Sequence, residues 1–460
     1  MSNAPQFYHP ASRHHADLLI CNGRVLTPNG MEHIDIACGD GRILALGSLA
    51  QHWSADNRIN AQGLTILPGA IDSQVHFREP GLVHKETLEA GTRGAVLGGV
   101  TAIFEMPNTQ PLTLTAQDLQ DKLNLAQQHA WCDYAFYIGG SAANAEQLGI
   151  LEQLPGCAGI KVFMGSSFGD LLAEEDDVLR NILRNGHRRL SVHAEDEARL
   201  RERRQLVEAS GDVCQHPLWR DAPSALMATR RIVEIAEETD RRLHILHVST
   251  ADEMTYLKQH KQRVSVEVTP HHLTLTAPEC YERLGTLAQM NPPVRTRHHQ
   301  AALWHAINEG VVDVLGSDHA PHTLTEKNTP YPNSPSGMTG VQTLLPIMLD
   351  HVNAGRLSLQ RLADLTSAGP ARVFSIQNKG RIAVGYDADF SIVDMASRRI
   401  IDNSWIASVS GWTPYDGHPV IGWPIHTIIR GHAVVQDEEL TSSTPCGQAL
   451  QFLDTQAVSA

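Results

Sequence analysis

The chain has 460 residues, 51 of them acidic and 37 basic, for a formal net charge of −14. That acidity argues against nucleic acid or an anionic membrane as main partner, because both would repel it. It leaves room for a small anionic substrate drawn into a local basic pocket. With 42% hydrophobic and 19% charged residues, the composition is that of a soluble globular chain, long enough for a large barrel and a smaller satellite.

The opening MSNAPQFYHPASRHH has no basic start followed by an apolar run, so no signal peptide is expected. No apolar stretch is long enough to span a bilayer. The seven cysteines are scattered without a C-x-x-C pair, which reads as reduced thiols in a cytoplasmic protein.

From Ala16 to about Leu67, short apolar runs alternate with Gly, Asn and Asp (ADLLICNGRVL, HIDIACGDGRILALG), the texture of short strands joined by tight turns. Residues 1–66 are therefore assigned to a small β domain. The texture returns in GRIAVGYDADFSIVD and HTIIRGHAVV, so residues 376–460 are expected to complete that domain as one composite β-sandwich.

Between them, in residues 67–375, eight β-rich runs alternate with helix-like stretches such as Leu171–Asn185 and Ser224–Glu238. The runs are DSQVHF, TAIFEMPNT, CDYAFYIGG, GIKVFMGSS, RLSVHAED, RLHILHVST, RVSVEVTPHH and VVDVLGSDHAPH. This alternation predicts an α/β fold, a (β/α)8 TIM barrel whose strand ends converge on one face. The stretch Thr323–Ser336, rich in Pro, Asn and Thr, is expected to be a mobile loop over that face.

Ionisable groups recur at the ends of those runs: His76, Lys161, His193, His247 and Asp318. Histidines, a lysine and an aspartate in one cup are zinc-site chemistry. Residues 74 and 76 lie on the same face of their strand by alternation. Taken singly, each histidine is an ordinary core or surface residue. Lys161 is different, because a buried ammonium within an apolar strand needs a carboxylate, a modification or a path to water. Five such groups at successive strand ends favour a metal. The pairs His14-His15, His271-His272 and His298-His299 read as loop or surface residues, and Gly165–Gly169 lacks the phosphate-loop pattern.

LPGAIDSQVHFREPG resembles the D-x-H-x-H-x-R-x-P-G signature of the amidohydrolase superfamily, in its dihydroorotase–allantoinase–hydantoinase branch. GIKVFMGSS resembles that branch's carboxylated-lysine strand, and VGYDADFSIVD its returning β domain. The resemblance implies zinc, as one or two ions: His76, Lys161 and Asp318 around one, and Lys161, His193 and His247 around the other. A carbamate on Lys161 would bridge the two. Asp318 would be the catalytic proton carrier. Arg78, Asn108 and His322 would grip a substrate carboxylate, while Asn291 and the backbone near Gly337 would meet the ring. An ion pair of Arg78 with Glu79 is the plainer reading of that arginine.

The implied reaction is the hydrolysis of dihydroorotate to N-carbamoyl-aspartate in pyrimidine biosynthesis. The alternatives are an allantoinase or hydantoinase activity, or a non-catalytic partner of aspartate carbamoyltransferase. A homo-oligomer and association with that transferase are expected. One position departs from the signature: Gln74 stands where the first histidine belongs. An amide oxygen is a poorer zinc ligand than imidazole, so the first ion should be weakened or lost.

Overall fold

The computed structural model describes residues 14–165, 171–441 and 444–455. Residues 1–13 of the opening stretch and residues 166–169 of Gly165–Gly169 therefore lie outside the described residues. Eight parallel strands form the barrel: β1 (Ala70–Val75), β2 (Val100–Glu105), β3 (Asp133–Gly139), β4 (Cys157–Phe163), β5 (Leu190–His193), β6 (Leu243–Ile245), β7 (Val264–Val268) and β8 (Val314–Leu315). Every position in them is buried. That explains why the runs are apolar almost throughout rather than alternating: helices cover one face and the barrel interior the other. The ring closes where Val75 bridges His319 and the His76 N–H donates to His319 O at 2.7 Å.

Local signals set the helices. Asp221 caps Ala222–Glu238, which has a proline in its first turn, and Thr115 with Asp118 forms a reciprocal cap on Ala116–His129. The stretch expected to be helical from Leu171 starts later, as Asp176–Arg184. Its first residues are drawn into extended pairing, with Ala173 N–H donating to Phe163 O at 2.9 Å.

Aromatic rings fill the barrel floor: Phe104 packs edge-on at 5.0 Å from Phe374 and 5.9 Å from both Tyr137 and Phe452. Above them lies a polar tier. Ser73 donates to Glu267 Oε2 at 3.0 Å, His244 stands 3.3 Å from the same oxygen, and Ser191 Oγ lies 3.3 Å from Tyr137 Oη.

The satellite is a composite β-sandwich, as the sequence predicts. Its seven-stranded sheet joins Arg24–Thr27, Gly30–His33 and Thr65–Pro68 from the start of the chain to Phe390–Ile400, Pro419–Ile429, His432–Gln436 and Glu439–Leu440 from its end. Leu18, Ile20 and Ile36 of the four-stranded sheet pack against Phe390, Ile392 and Ile428. Among the described residues no helix is long and apolar enough to cross a membrane. All seven cysteines are free.

Two expectations are corrected. The stretch Thr323–Ser336 is anchored rather than loose: it contains the helix Leu324–Lys327, capped reciprocally by Thr323 and Glu326, and Lys327 is fully buried. His271 and His272 are buried, not surface residues. They lie in the helix Pro270–Thr274, where His271 Nδ1 stands 2.9 Å from Tyr415 Oη and His272 Nε2 stands 3.0 Å from Pro292 O. Adjacent histidines on a short helix under a loop find partners that sequence spacing does not reveal.

Candidate active site

The site lies at the C-terminal mouth of the barrel, and the backbone there is strained. Arg78, His247 and Asp318 all adopt positive φ, at 63°, 39° and 51°. Side chains other than glycine rarely take this conformation, and such strain concentrates where function demands a fixed geometry. Asp72 helps impose it: its Oδ1 accepts from Ser317 N at 2.9 Å and from Gln74 N at 3.2 Å, tying β1 to the loop that carries Asp318.

The candidate ligands stand as two pairs. On one side His76 Nε2 lies 3.3 Å from Asp318 Oδ1, and Gln74 Nε2 donates to the same oxygen at 3.0 Å. Residues 74 and 76 do reach one point, as alternation along a strand requires, but Gln74 arrives with its amide donor. On the other side His193 Nδ1 and His247 Nε2 are 3.0 Å apart. Among the described residues, no group of three or more His, Cys, Asp or Glu side chains is gathered closely enough to hold an ion. Lys161 lies within electrostatic reach of both pairs, facing Asp318 and lowering His193 and His247 by its charge. Burial pulls the Lys161 ammonium down to about 7, against the opposing charges of Asp318 and Glu267. Burial likewise holds both His193 and His247 below the usual imidazole range, the neutral form a metal requires.

One partner of His193 carries no mark in the sequence reading. Glu195 Oε2 lies 2.8 Å from His193 Nε2, and Arg220 clamps that carboxylate through Nε at 3.1 Å and Nη2 at 2.5 Å. Burial pushes Glu195 upward, but Arg220 and His193 outweigh it and hold the carboxyl at about 2. An ionised carboxylate on Nε2–H leaves the Nδ1 lone pair facing His247.

The opposite wall is cationic. Arg78 Nε donates to Pro321 O at 3.3 Å, and its Nη2 lies 3.3 Å from His322 Nε2. Lys85 Nζ is 3.2 Å from His322 Nδ1 and 3.0 Å from Glu326 Oε1. Glu79, the plainer ion-pair partner for Arg78, instead accepts from Leu88 N at 2.7 Å. Burial lowers Arg78 to about 10 and, with the neighbouring cations, drives His322 far below its usual range, so the ring is neutral. Asn108 Oδ1 meets His76 Nδ1 at 2.8 Å, which joins the cationic wall to the Asp318 pair. Asn291 is held apart from these: its Oδ1 meets His216 Nε2 at 3.1 Å.

The sequence reading missed Asp72, Glu195, Arg220, Glu267, His216 and Lys85. Glu267, inside VSVEV, carried the same signal as Lys161, an ionisable group in an apolar strand. Burial pushes its carboxyl up to about 8. Glu195 follows His193 by two positions, the spacing of one strand face. Arg220 and His216 come from a connecting segment with no such signal.

This chain belongs to the amidohydrolase family, whose model matches residues 65–434. The family binds a divalent metal, typically zinc. Among its relatives, the dihydroorotase of Methanosarcina mazei is 34% identical over 449 residues, covering 95% of this chain and 98% of that protein. The L-hydantoinase of Paenarthrobacter aurescens is 31% identical, covering 94% and 97%. In three dimensions the chain is similar to the L-hydantoinase (dihydropyrimidinase) from Arthrobacter aurescens, with a TM-score of 0.90 at 30% identity, covering 95% of this chain and 99% of that one.

Proposed function

We propose that this chain is a dihydroorotase, hydrolysing and re-forming the ring amide of dihydroorotate, with N-carbamoyl-aspartate as the open form. The observation that carries this reading is Arg78: a buried guanidinium that donates to one backbone carbonyl and otherwise faces a neutral histidine, with Glu79 turned elsewhere. Burying an unpaired charge is unfavourable, and the fork of donors on arginine matches a carboxylate. A ring bearing a carboxylate completes the site.

The donor chemistry fits one divalent ion. His193, His247 and Lys161 as its carbamate would hold it, whereas at the second position Gln74 turns its amide N–H toward Asp318 instead of offering an imidazole nitrogen. We infer one tightly held ion per chain. When bound, a metal such as zinc polarises the ring carbonyl and acidifies a water.

The protein's own groups do the rest. Arg78, His322 and the Asn108 amide bind the substrate carboxylate, and Asn291 with the backbone near Gly337 meets the ring. Asp318, whose Oδ1 accepts from the Gln74 amide, takes the proton of the attacking water. It delivers that proton to the ring nitrogen as the C–N bond breaks.

A substrate panel on metal-analysed protein tests this. Dihydroorotate should be turned over well, and dihydrouracil, hydantoin and allantoin poorly. Equal or faster turnover of a ring without a carboxylate would overturn the reading and select the hydantoinase activity named for two similar proteins. Gln74 favours a second reading, a non-catalytic partner of aspartate carbamoyltransferase. Metal-free, inactive protein that co-purifies with that transferase would select it.

A further inference from the structure

Lys327 plays no part in the reaction above, yet it is among the largest fully buried side chains in the molecule. Its Nζ donates to three backbone carbonyls, Pro335 at 2.9 Å, Gly337 at 3.0 Å and Gln289 at 3.1 Å. Those carbonyls belong to two separate segments. Gly337 N–H also donates to Gln289 O at 2.8 Å, so both segments are pinned together around the ammonium.

The pinned loop reaches the cationic wall directly. Ser336 O lies 3.1 Å from His322 Nε2, and a Cβ built on Gly337 would stand 2.2 Å from Ala320 O and 3.0 Å from His322 Cδ2. Trp412 Nε1 donates to His322 O at 2.7 Å, and the Lys327 ammonium stands 5.8 Å from the Trp412 ring centroid. His322 thus sits between an indole and a loop that the same ammonium touches. A lysine buried for packing alone would be an unfavourable choice, because its charge loses water and gains no opposite charge. Burial lowers its ammonium to about 7, with no carboxylate opposing.

We propose that Lys327 is a positioning residue for the carboxylate end of the substrate: it staples residues 335–337 and 289 so that His322 and the Gly337 backbone are held ready, and it adds positive charge beside them. This rests on the carboxylate-binding reading of Arg78 and His322.

The test compares wild type with Lys327→Met and Lys327→Arg, each with metal content measured. For Lys327→Met, KM for dihydroorotate should rise about tenfold or more while kcat stays within about twofold, since a lost group that binds the substrate uniformly raises KM alone. Lys327→Arg, which keeps charge and donors, should recover part of that rise. Amide hydrogen exchange without substrate should show residues 328–337 opening in Lys327→Met and the barrel strands unchanged. An unchanged KM, or a KM that rises no further than kcat falls, would overturn the proposal. Should Lys327→Met not fold, Lys327→Gln, neutral but still a donor, is scored in the same way. If wild type does not turn over dihydroorotate, the substrate reading fails, and the exchange comparison alone decides the staple.

Discussion

Replacing Arg78 by Met separates a binding arginine from a structural one. In the folded chain Nε is engaged by Pro321 O and one Nη2 proton faces His322, so Nη1 and the rest of Nη2 are left for a ligand. A hydrogen bond to a charged group contributes about 1.5–3 kcal/mol, so losing a two-pronged contact should cost about 3 kcal/mol or somewhat more. At about 1.4 kcal/mol per factor of ten, kcat/KM for dihydroorotate should fall roughly 150-fold, mostly through KM. Stability should move the other way or not at all. Met keeps the volume and the same positive-φ strain, while the buried charge is relieved of its desolvation. Steady-state kinetics on protein of measured metal content, with a parallel thermal melt, reads both quantities. A sharp fall in melting temperature with an unchanged KM would show that Arg78 supports the loop and does not grip substrate.

Gln74→His should remove the amide donor from Asp318 and raise bound zinc from about one ion per chain to about two by elemental analysis. Asp318→Asn should lower kcat by about 10²–10⁴-fold in a dihydroorotate assay, and near-normal turnover would exclude it as the proton carrier. Glu195→Gln should weaken zinc binding about 10–100-fold in a chelator competition, because His193 loses the carboxylate that orients it. Asp221 gives a pH test: burial pushes its carboxyl up, but Arg199, Ser224 and Arg203 outweigh this and hold it at about 2, below the ordinary 3.8. A depressed folded value means stability that is complete above about 4 and lost as pH falls toward 2, so acid melts of Asp221→Asn should lack that limb.

The barrel was legible because its strands are buried on both faces, which leaves uninterrupted apolar runs with polar residues only at their ends. The same contrast marks His76, Lys161, His193, His247 and Asp318 as candidates. Glu267 breaks the VSVEV run one position before its strand ends, just as Lys161 breaks its own two positions before the end, so the same signal was present there. Arg220 and His216 were illegible for a different reason. They sit on a connecting segment and acquire meaning only when Glu195 and Asn291 are brought to them by the fold. The loop at 323–336 misled because Pro and Asn report local backbone preference, whereas its anchoring comes from one lysine reaching carbonyls of another segment. The Gln74 side chain stands out in the sequence only against the signature, and its bond to Asp318 needs the fold to be seen.

The sheet that joins Pro68 to Phe390 has a bearing on biosynthesis. Its first strands leave the ribosome about 320 residues before their neighbours exist, some tens of seconds at bacterial or eukaryotic translation speeds. During that interval Thr65–Pro68 offers bare amide and carbonyl groups to any passing extended segment. A nascent or truncated chain ending before residue 390 should therefore be a favoured client of chaperones and prone to clump, even with its barrel fully translated.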